Sequence, residues 1–333
     1  MSRATHNIAI DPRCPFCETE GAAFCFSAQS ISGSTHDYFS CPNCQSLYLW
    51  PQPAPDHLKE NYDTSYYGEK SEKFLFPGVE KAIDVFRSGR ARRIARLTGY
   101  KGEVLDIGCG SGRFLHILGK KGDYTLLGSE LPGPAASRAS RFPEIRLSQS
   151  SEFHPEAQPA SLDAITMFHV IEHLDKPAEM LRRIFASLKP GGYFYVSFPN
   201  VHGWQGRHFR GDWLHLDPPR HLVLFHPDRF EAYVLQMGFQ RIHRSGRSIE
   251  QNPFGMVQSI LNRLLNHRDL LFESLKGNKA YARRSSPLSL LLQKCFFIIS
   301  FPVFVLTDML MAAGRRNATV TYIFRKTDSS NNI

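Results

Sequence analysis

The chain has 333 residues, of which 42% are hydrophobic, 12% aromatic and 21% charged, with 24 glycines and 21 prolines. This is the composition of a globular protein, and it excludes collagenous, wholly disordered and disulfide-scaffold classes. The formal net charge of +9 is divided as −4 over residues 1–79, +4 over 80–103, +3 over 104–249 and +6 over 250–333. Such a balance asks for an anionic partner, whether nucleic acid, an acidic small molecule or a membrane surface.

The N-terminus, MSRATHNIAIDPRCP, has no apolar core and no small-residue cleavage site, so the chain reads as cytosolic. Seven cysteines stand at 14, 17, 25, 41, 44, 109 and 295, and four of them form the pairs CPFC and CPNC, with 23 residues between. Two C-x2-C turns offer four thiolates, the donor set of tetrahedral zinc, and a reducing compartment disfavours disulfides. Cys14, Cys17, Cys41 and Cys44 therefore predict a closed, structural zinc site that organises residues 1–52.

Pro51, Pro53 and Pro55 mark the exit from this module. Tyr62, Tyr66 and Tyr67 follow, either packing on a neighbouring domain or closing over a ligand; in the second case Tyr66 and Tyr67 contact substrate. Residues 79–98 predict an amphipathic helix with Val79, Ile83, Phe86, Ile94 and Leu97 on one face, an arginine-rich opposite face and an interruption at Ser88-Gly89. It ends a linker-and-helix region, 53–100.

From residue 101 to 248 short apolar runs alternate with helical segments, the pattern of a parallel sheet with crossover helices. Strands are predicted at 103–107, 124–129, 145–148, 162–168 and 192–198, and helices at 112–120, 134–141, 177–188 and 227–237. VLDIGCGSGRFL (104–115) reads as strand, glycine turn and helix start. Glycines let the backbone approach a ligand, and the helix N-terminus attracts electronegative groups. The spacing G-C-G-S-G is not the dinucleotide G-x-G-x-x-G. Asp106, ahead of the first glycine, suits a cationic ammonium group, and Glu130, ending the next strand, can accept hydrogen bonds from both ribose hydroxyls. Together they describe an adenosine-containing ligand without phosphates.

On these motifs, together with LDAITMFHVIEHLDKP (162–177) and LKPGGYFYVSFPN (188–200), residues 100–245 and the last strand resemble a class I S-adenosylmethionine-dependent methyltransferase. The cysteine pairs, the PQP and tyrosine stretch, and HLDPPRHLVLF (215–225) resemble a bacterial subgroup that tailors glycans, lipids or natural products. The resemblance implies an α/β fold: a Rossmann-like seven-stranded sheet with a small N-terminal zinc-binding module and a helical C-terminal insertion. It implies that Asp106, Gly108, Cys109, Gly110 and Gly112 hold the methionine portion. Glu130 would meet the ribose, Leu131 would belong to the same cofactor site, and the stretch from Phe168 through His169 to Val170 would face the transferred methyl. The adenine position falls on Gln149, Ser150 or Glu152.

Methyl transfer needs an oriented nucleophile and, for a hydroxyl acceptor, a base that titrates near neutrality. Parallel sheets build sites at strand carboxyl ends, which selects the loops after 168 and 198. After 168 stand His169, Glu172 and His173. Glu172-His173 either fixes the turn or, with His169, holds a divalent ion as in some quinone-type relatives. Asp175 reads as a helix N-cap and Pro177 as a first-turn residue. After 198 comes a long polar loop with His202, His208, His215 and His221. Asp217 and Arg220 either form a local ion pair or, with Arg220 anchoring an anionic substrate group, leave His221 as the base; His169 is a further candidate and His215 the reserve.

A strand at 239–244 and a closing strand at 318–326, within 317–333, bracket a helical apolar insertion, 249–316, with helices at 259–275 and in 287–313. Residues 287–313 carry two charges, Lys294 and Asp308, and are flanked by Arg283-Arg284 and Arg315-Arg316. This segment is a buried helical hairpin or dimer face, an in-plane or re-entrant membrane contact in which Phe296, Phe297, Phe301 and Phe304 dip below the head groups, or a single crossing.

The reading that results is an S-adenosylmethionine-dependent methyltransferase with structural zinc. It acts on an oxygen of a sugar, lipid-linked glycan or hydrophobic small molecule at the cytoplasmic membrane face. C-methylation of a nucleotide sugar is the nearest alternative. RNA methylation is disfavoured, because the cysteine module is acidic and no Asn/Asp-Pro-Pro-aromatic motif follows residue 168. A non-catalytic scaffold is opposed by the intact glycine turn.

Overall fold

The computed structural model describes residues 12–53, 77–150 and 153–327. Tyr62, Tyr66, Tyr67 and Glu152 lie outside the described residues.

The N-terminal strands β1 (Ala23–Gln29), β2 (Thr35–Ser40) and β3 (Leu47–Trp50) form an antiparallel meander. The helix α1 (Pro77–Leu97) is continuous through Ser88-Gly89, contrary to the interruption read from sequence. Ala91, Ile94 and Ala95 are completely buried against the next domain. That burial outweighs the ~1 kcal/mol helical cost of one glycine.

Alternating elements follow: β4 (Lys101–Ile107), α2 (Arg113–Gly119), β5 (Asp123–Glu130), α3 (Pro134–Ala139), β6 (Ile145–Gln149), β7 (Leu162–Phe168), α4 (Pro177–Ser187) and β8 (Leu188–Pro199). After α5 (Trp204–Phe209), β9 (Val223–Leu224), α6 (Pro227–Gln236) and β10 (Phe239–Ser245) comes a helical run. It comprises α7 (Asn252–Leu264), α8 (Leu270–Lys276), α9 (Lys279–Ala282) and α10 (Pro287–Ala313), and β11 (Thr319–Lys326) closes the chain.

Seven strands make one sheet in the order β10-β11-β8-β7-β4-β5-β6, as expected for the fold class. The five from β6 to β8 are parallel, and β11 runs antiparallel to both neighbours. Val104, Leu105, Leu127, Ile165, Val196 and Phe198 have no exposure, so these strands are covered on both faces and read as near-continuous apolar runs. β4 lies between β5 and β7, and the chain moves outward in both directions from it. The carboxyl ends of β4 and β7 therefore flank the switch-point crevice.

The second sheet runs β1-β2-β3-β9. Its last strand comes from the loop after β8, pairing Leu47 with Leu224 and Tyr48 with Val223. Phe16, in the first cysteine turn, packs on Phe225, Phe230 and Tyr233. The cysteine module and the post-β8 loop thus share one small sheet.

Three local expectations are corrected. Asp175 does not cap α4: Lys176 holds that position without a side-chain bond, and Pro177 starts the helix. Residues 259–275 are two helices, α7 and α8, broken where Asp269 takes φ 55° and its backbone and carboxylate bond Asn262. The segment 287–313 is neither a hairpin nor a re-entrant turn but one helix, with Pro302 inside it. Its phenylalanines turn toward the protein: Phe297 packs edge-on against Phe254, and Phe296 and Phe304 join the same cluster.

Candidate functional site

The glycine turn leaves the end of β4 with Gly108, Gly110 and Gly112 all in the left-handed region, at φ 68°, 58° and 74°. At Gly108 a Cβ would stand 2.4 Å from Val170 Cγ2, so the turn is pressed against the loop after β7. At Gly110 a Cβ would meet nothing within 4 Å. That open space, above a backbone free to take positive φ, is where a ligand can approach the main chain.

Two carboxylates face this turn. Asp106 is buried and accepts a 2.6 Å hydrogen bond from Thr166 Oγ1. Burial pushes its carboxyl up to about 7, with Thr166 opposing and the Glu130 charge adding to the rise. A ligand ammonium would hold it ionised. Glu130, at the end of β5, accepts from Gly110 N at 2.6 Å and Leu131 N at 3.0 Å. Gln149 stands beside Glu130 in register, which keeps it in reach of the adenine position together with the adjoining Ser150. Cys109 bonds backward to Ser129 O, and its thiol is buried over Gly128. These features fit the cofactor that the resemblance implies: an open glycine cradle, an acid for an ammonium and an acid for ribose hydroxyls.

The opposite wall is a cleft of about 360 Å³ lined by Arg90, Arg93, Phe168, His169, Tyr195 and Arg247, among others. Phe168 packs edge-on between Phe114 and Tyr195, with the Arg90 guanidinium 4.9 Å over its ring. α1 is held in place by Asp84, which pairs with Arg113 at the start of α2, and by Arg90, which pairs with Glu250. Arg90 and Arg93 of α1 therefore line the cleft, while Arg92 and Arg96 of the same helix are exposed to solvent.

Of the three candidate bases, His169 is the one that lines this cleft among the described residues. It has φ 56°, unusual for a non-glycine residue, and is pinned by a bond from its N–H to Ser197 O. Its Nδ1 lies 3.5 Å from Glu172 Oε1. Glu172 is completely buried, and neither carboxylate oxygen has a hydrogen-bond partner among the described residues. Burial pushes its carboxyl up, but His169, then His221 and His173, more than offset this and leave it below the ordinary range.

His221 is buried. Its Nδ1 donates to His215 O at 2.7 Å and its Nε2 points to Glu172 at 4.0 Å. His215 is also buried, and desolvation together with the nearby imidazoles lowers it to about 3. Asp217 and Arg220 form a two-pronged ion pair across the turn, leaving the arginine side chain 8% exposed. His173 donates Nδ1–H to Arg220 O at 2.9 Å, and Leu222 N donates to Glu172 O. The segment 217–222 thus locks the floor beneath His169.

Among the described residues two clusters could hold cations. The ligand atoms of Cys14, Cys17, Cys41 and Cys44 lie within 4.8 Å of one another. Both knuckles close alike: Glu18 N bonds Cys14 O and Gln45 N bonds Cys41 O, with Glu18 and Gln45 at positive φ. Four thiols on two matching turns fit tetrahedral zinc. The second cluster is Glu172, His173 and His221, within the same distance; the sequence suggested His169 in place of His221.

Arg90, Arg93, Tyr195, His243 and Arg247 also line the cleft and were not singled out from sequence. The one available signal was the arginine-rich face of the 79–98 helix.

Residues 80–244 match a family model described as "Methyltransferase domain". A ubiquinone biosynthesis O-methyltransferase from Paracidovorax citrulli is 31% identical over 125 residues, covering 35% of this chain and 51% of that one. Its counterpart from Aeromonas salmonicida is 31% identical over 102 residues, covering 29% and 43%. The matched region thus spans about half the length of these relatives. The crystal structure of a proposed sarcosine dimethylglycine methyltransferase from Galdieria sulphuraria superposes with a TM-score of 0.50 at 14% identity, covering 82% of this chain and 99% of that one. That likeness is one of fold.

Proposed function

We propose that the chain, whose residues 80–244 form a class I S-adenosylmethionine-dependent methyltransferase domain, methylates an oxygen of an acidic small-molecule or lipid-linked glycan acceptor. The observation that carries this reading is His169. It stands at the end of β7 in a pinned left-handed conformation, backed by the buried Glu172, inside a cleft with Arg90, Arg93 and Arg247. The O-methyltransferase names of the relatives agree with oxygen as the acceptor atom.

When bound, S-adenosylmethionine supplies a methyl group on a sulfonium, whose C–S bond breaks as the O–C bond forms. The protein's part is to hold, align and deprotonate. Asp106 takes the cofactor's ammonium group, Glu130 its ribose hydroxyls, and the open turn at Gly110 its main-chain approach. Arg90, Arg93 and Arg247 draw an anionic acceptor into line. With Nδ1 turned to Glu172, the Nε2 of His169 is the nitrogen left to take the acceptor proton, and Glu172 stabilises the imidazolium that forms. Glu172 is a positioning residue. Cys14, Cys17, Cys41 and Cys44 would hold a zinc ion that fixes the module supplying β3, the partner of β9.

A second reading has one specific observation in its favour. His173 and His221 each donate Nδ1–H to a backbone carbonyl, which makes Nε2 the ring nitrogen able to ligate, and the two cluster with Glu172 within 4.8 Å. Metal-ligating imidazoles are fixed in this way. A divalent ion there would fix Glu172 behind His169.

The test is incubation of the protein with methyl-labelled S-adenosylmethionine and a cell-envelope extract, followed by fragmentation of the labelled product. Label on oxygen is expected. Label on carbon or nitrogen overturns the acceptor assignment, and absence of label despite cofactor binding overturns the enzyme reading. Loss of turnover on chelation, with the four-cysteine zinc retained, would select the second reading for Glu172.

A further inference from the structure

The helix α10 is built inside out. Its polar residues Gln293, Ser300 and Asp308 are buried against the protein. Leu288, Leu292, Ile299, Leu306 and Leu310 are 65%, 61%, 75%, 62% and 77% exposed. On a helix turning about 100° per residue, those five fall within roughly 40° of one another, and the three polar residues lie on the far side. The rotation is fixed rather than incidental. Asp308 accepts from Asn252 Nδ2 at 2.7 Å, Ser248 N at 3.3 Å and Asn317 Nδ2. The outward row is a continuous aliphatic stripe ~33 Å long, which is a contact surface rather than scattered surface leucines.

We propose that this stripe lies in the plane of an anionic lipid bilayer surface. Charge selects the occupant. Arg283 and Arg284 precede the helix, Arg315 and Arg316 follow it, and all four are exposed. Lys294 is exposed on the helix, whereas its one acid, Asp308, is turned inward. A second copy of the chain, paired parallel or antiparallel along this stripe, would set basic end against basic end. A layer of anionic head groups complements both ends at once while the aliphatic row enters the acyl boundary. Beside the carboxyl end of α10, Arg315 and Arg247 line a groove of about 560 Å³ together with Arg241 and Arg244, which are paired with Glu231 and Asp228, so Arg247 and Arg315 add to the positive field on that side.

The helix is long and apolar enough to cross a membrane by composition, with a mean hydropathy of 2.1 over its best window. The fold opposes a crossing. Only five residues separate the end of α10 from the start of β11, which lies between β8 and β10 in the main sheet. Insertion would break the Asp308 bonds and drag that sheet into hydrocarbon, so the helix lies flat.

The inference does not depend on which atom is methylated. The bond from Ser248 N to Asp308 ties α10 to the segment 247–250, which lines the acceptor cleft, so a bilayer held on α10 would stand beside that cleft.

The test uses the full chain in vesicle flotation, with phosphatidylcholine alone or mixed with phosphatidylglycerol. The protein should float with the anionic vesicles at least about tenfold better than with the neutral ones, and less well as salt rises. The combined variant Ile299→Glu, Leu306→Glu and Leu310→Glu should lose flotation while keeping the helical circular dichroism and the cooperative thermal unfolding of the wild type, which shows that it has folded. Arg315→Glu with Arg316→Glu should weaken flotation severalfold. No flotation of the wild type, or equal flotation of the triple variant, overturns the proposal. A wild-type dimer in sedimentation velocity that the triple variant dissociates, without flotation of either, assigns the stripe to a second copy instead.

Discussion

The cofactor half of the crevice comes from one strand-turn-helix-strand unit, Asp106 to Glu130, with its donors and acceptors close in sequence. The half proposed for the acceptor collects Arg90 from α1, His169 from the end of β7, Tyr195 from β8, His243 from β10 and Arg247 beyond it. Its floor is a loop braced by the cysteine module through β3 and β9. One half is local and self-supporting, and the other depends on distant segments arriving correctly. Damage far from the chemistry should therefore strike the acceptor half and spare cofactor binding.

The strongest way to break that contrast is at the cysteines. Cys41→Ser, or removal of metal by a thiol-competitive chelator, should abolish turnover, by more than ~10³-fold, because a structural zinc supplies the folding energy of a small module. Affinity for S-adenosylmethionine, measured by calorimetric titration, should stay within about threefold, as for a distant independent site. Equal loss of both would show that the two halves fold as one unit.

Next in size is His169→Gln, expected to lower kcat by ~10²–10⁴-fold, the range for removing a general base, with cofactor affinity unchanged. Should His221→Gln show the larger kcat loss instead, the base is the buried imidazole and the cleft has been misassigned. Glu130→Gln should do the reverse. The cofactor Kd rises ~10–100-fold, as for lost hydrogen bonds to a charged group, while kcat at saturation is little altered.

The smallest effect is one of pH. Burial raises Asp106 to about 7, and only its ionised form attracts an ammonium. Cofactor affinity should level off above that pH and fall about tenfold per unit below it. In the absence of ligand the sign for stability is opposite. A carboxyl whose folded value lies above its unfolded one costs stability as pH rises from about 4 to about 7. A flat binding profile between pH 5.5 and 8.5 would remove Asp106 from the ammonium site.

Much of the crevice could be read in the chain because its physics is local. A glycine turn needing positive φ, a strand-end acid and two C-x2-C turns each write their requirement within a few residues. The histidines show where this stops. As letters His221 led the candidate bases, ahead of His169 and His215, and burial reverses that order: His215 is desolvated and neutral, His221 is buried and committed to His215 O, and His169 opens to the cleft. Asp217 and Arg220 are spaced for either a substrate clamp or an ion pair, and the structure places them in the pair.

The helix α10 teaches the same point from the other direction. Composition marked it as apolar, and its phenylalanines were the natural residues to place against lipid. Rotation about the helix axis, set by three polar side chains bonded or buried inward, put the aliphatic row outside instead. The amino-acid sequence by itself determined the sheet, the glycine turn, the acids around it and the four-thiol set, since each depends on neighbours a few bonds away. Tertiary structure alone decided which histidine meets the cleft, which arginines line it, that β9 joins the cysteine module to its floor, and which side of α10 faces out. Each of those depends on burial and on contacts between residues far apart in the chain, where no local pattern records the outcome.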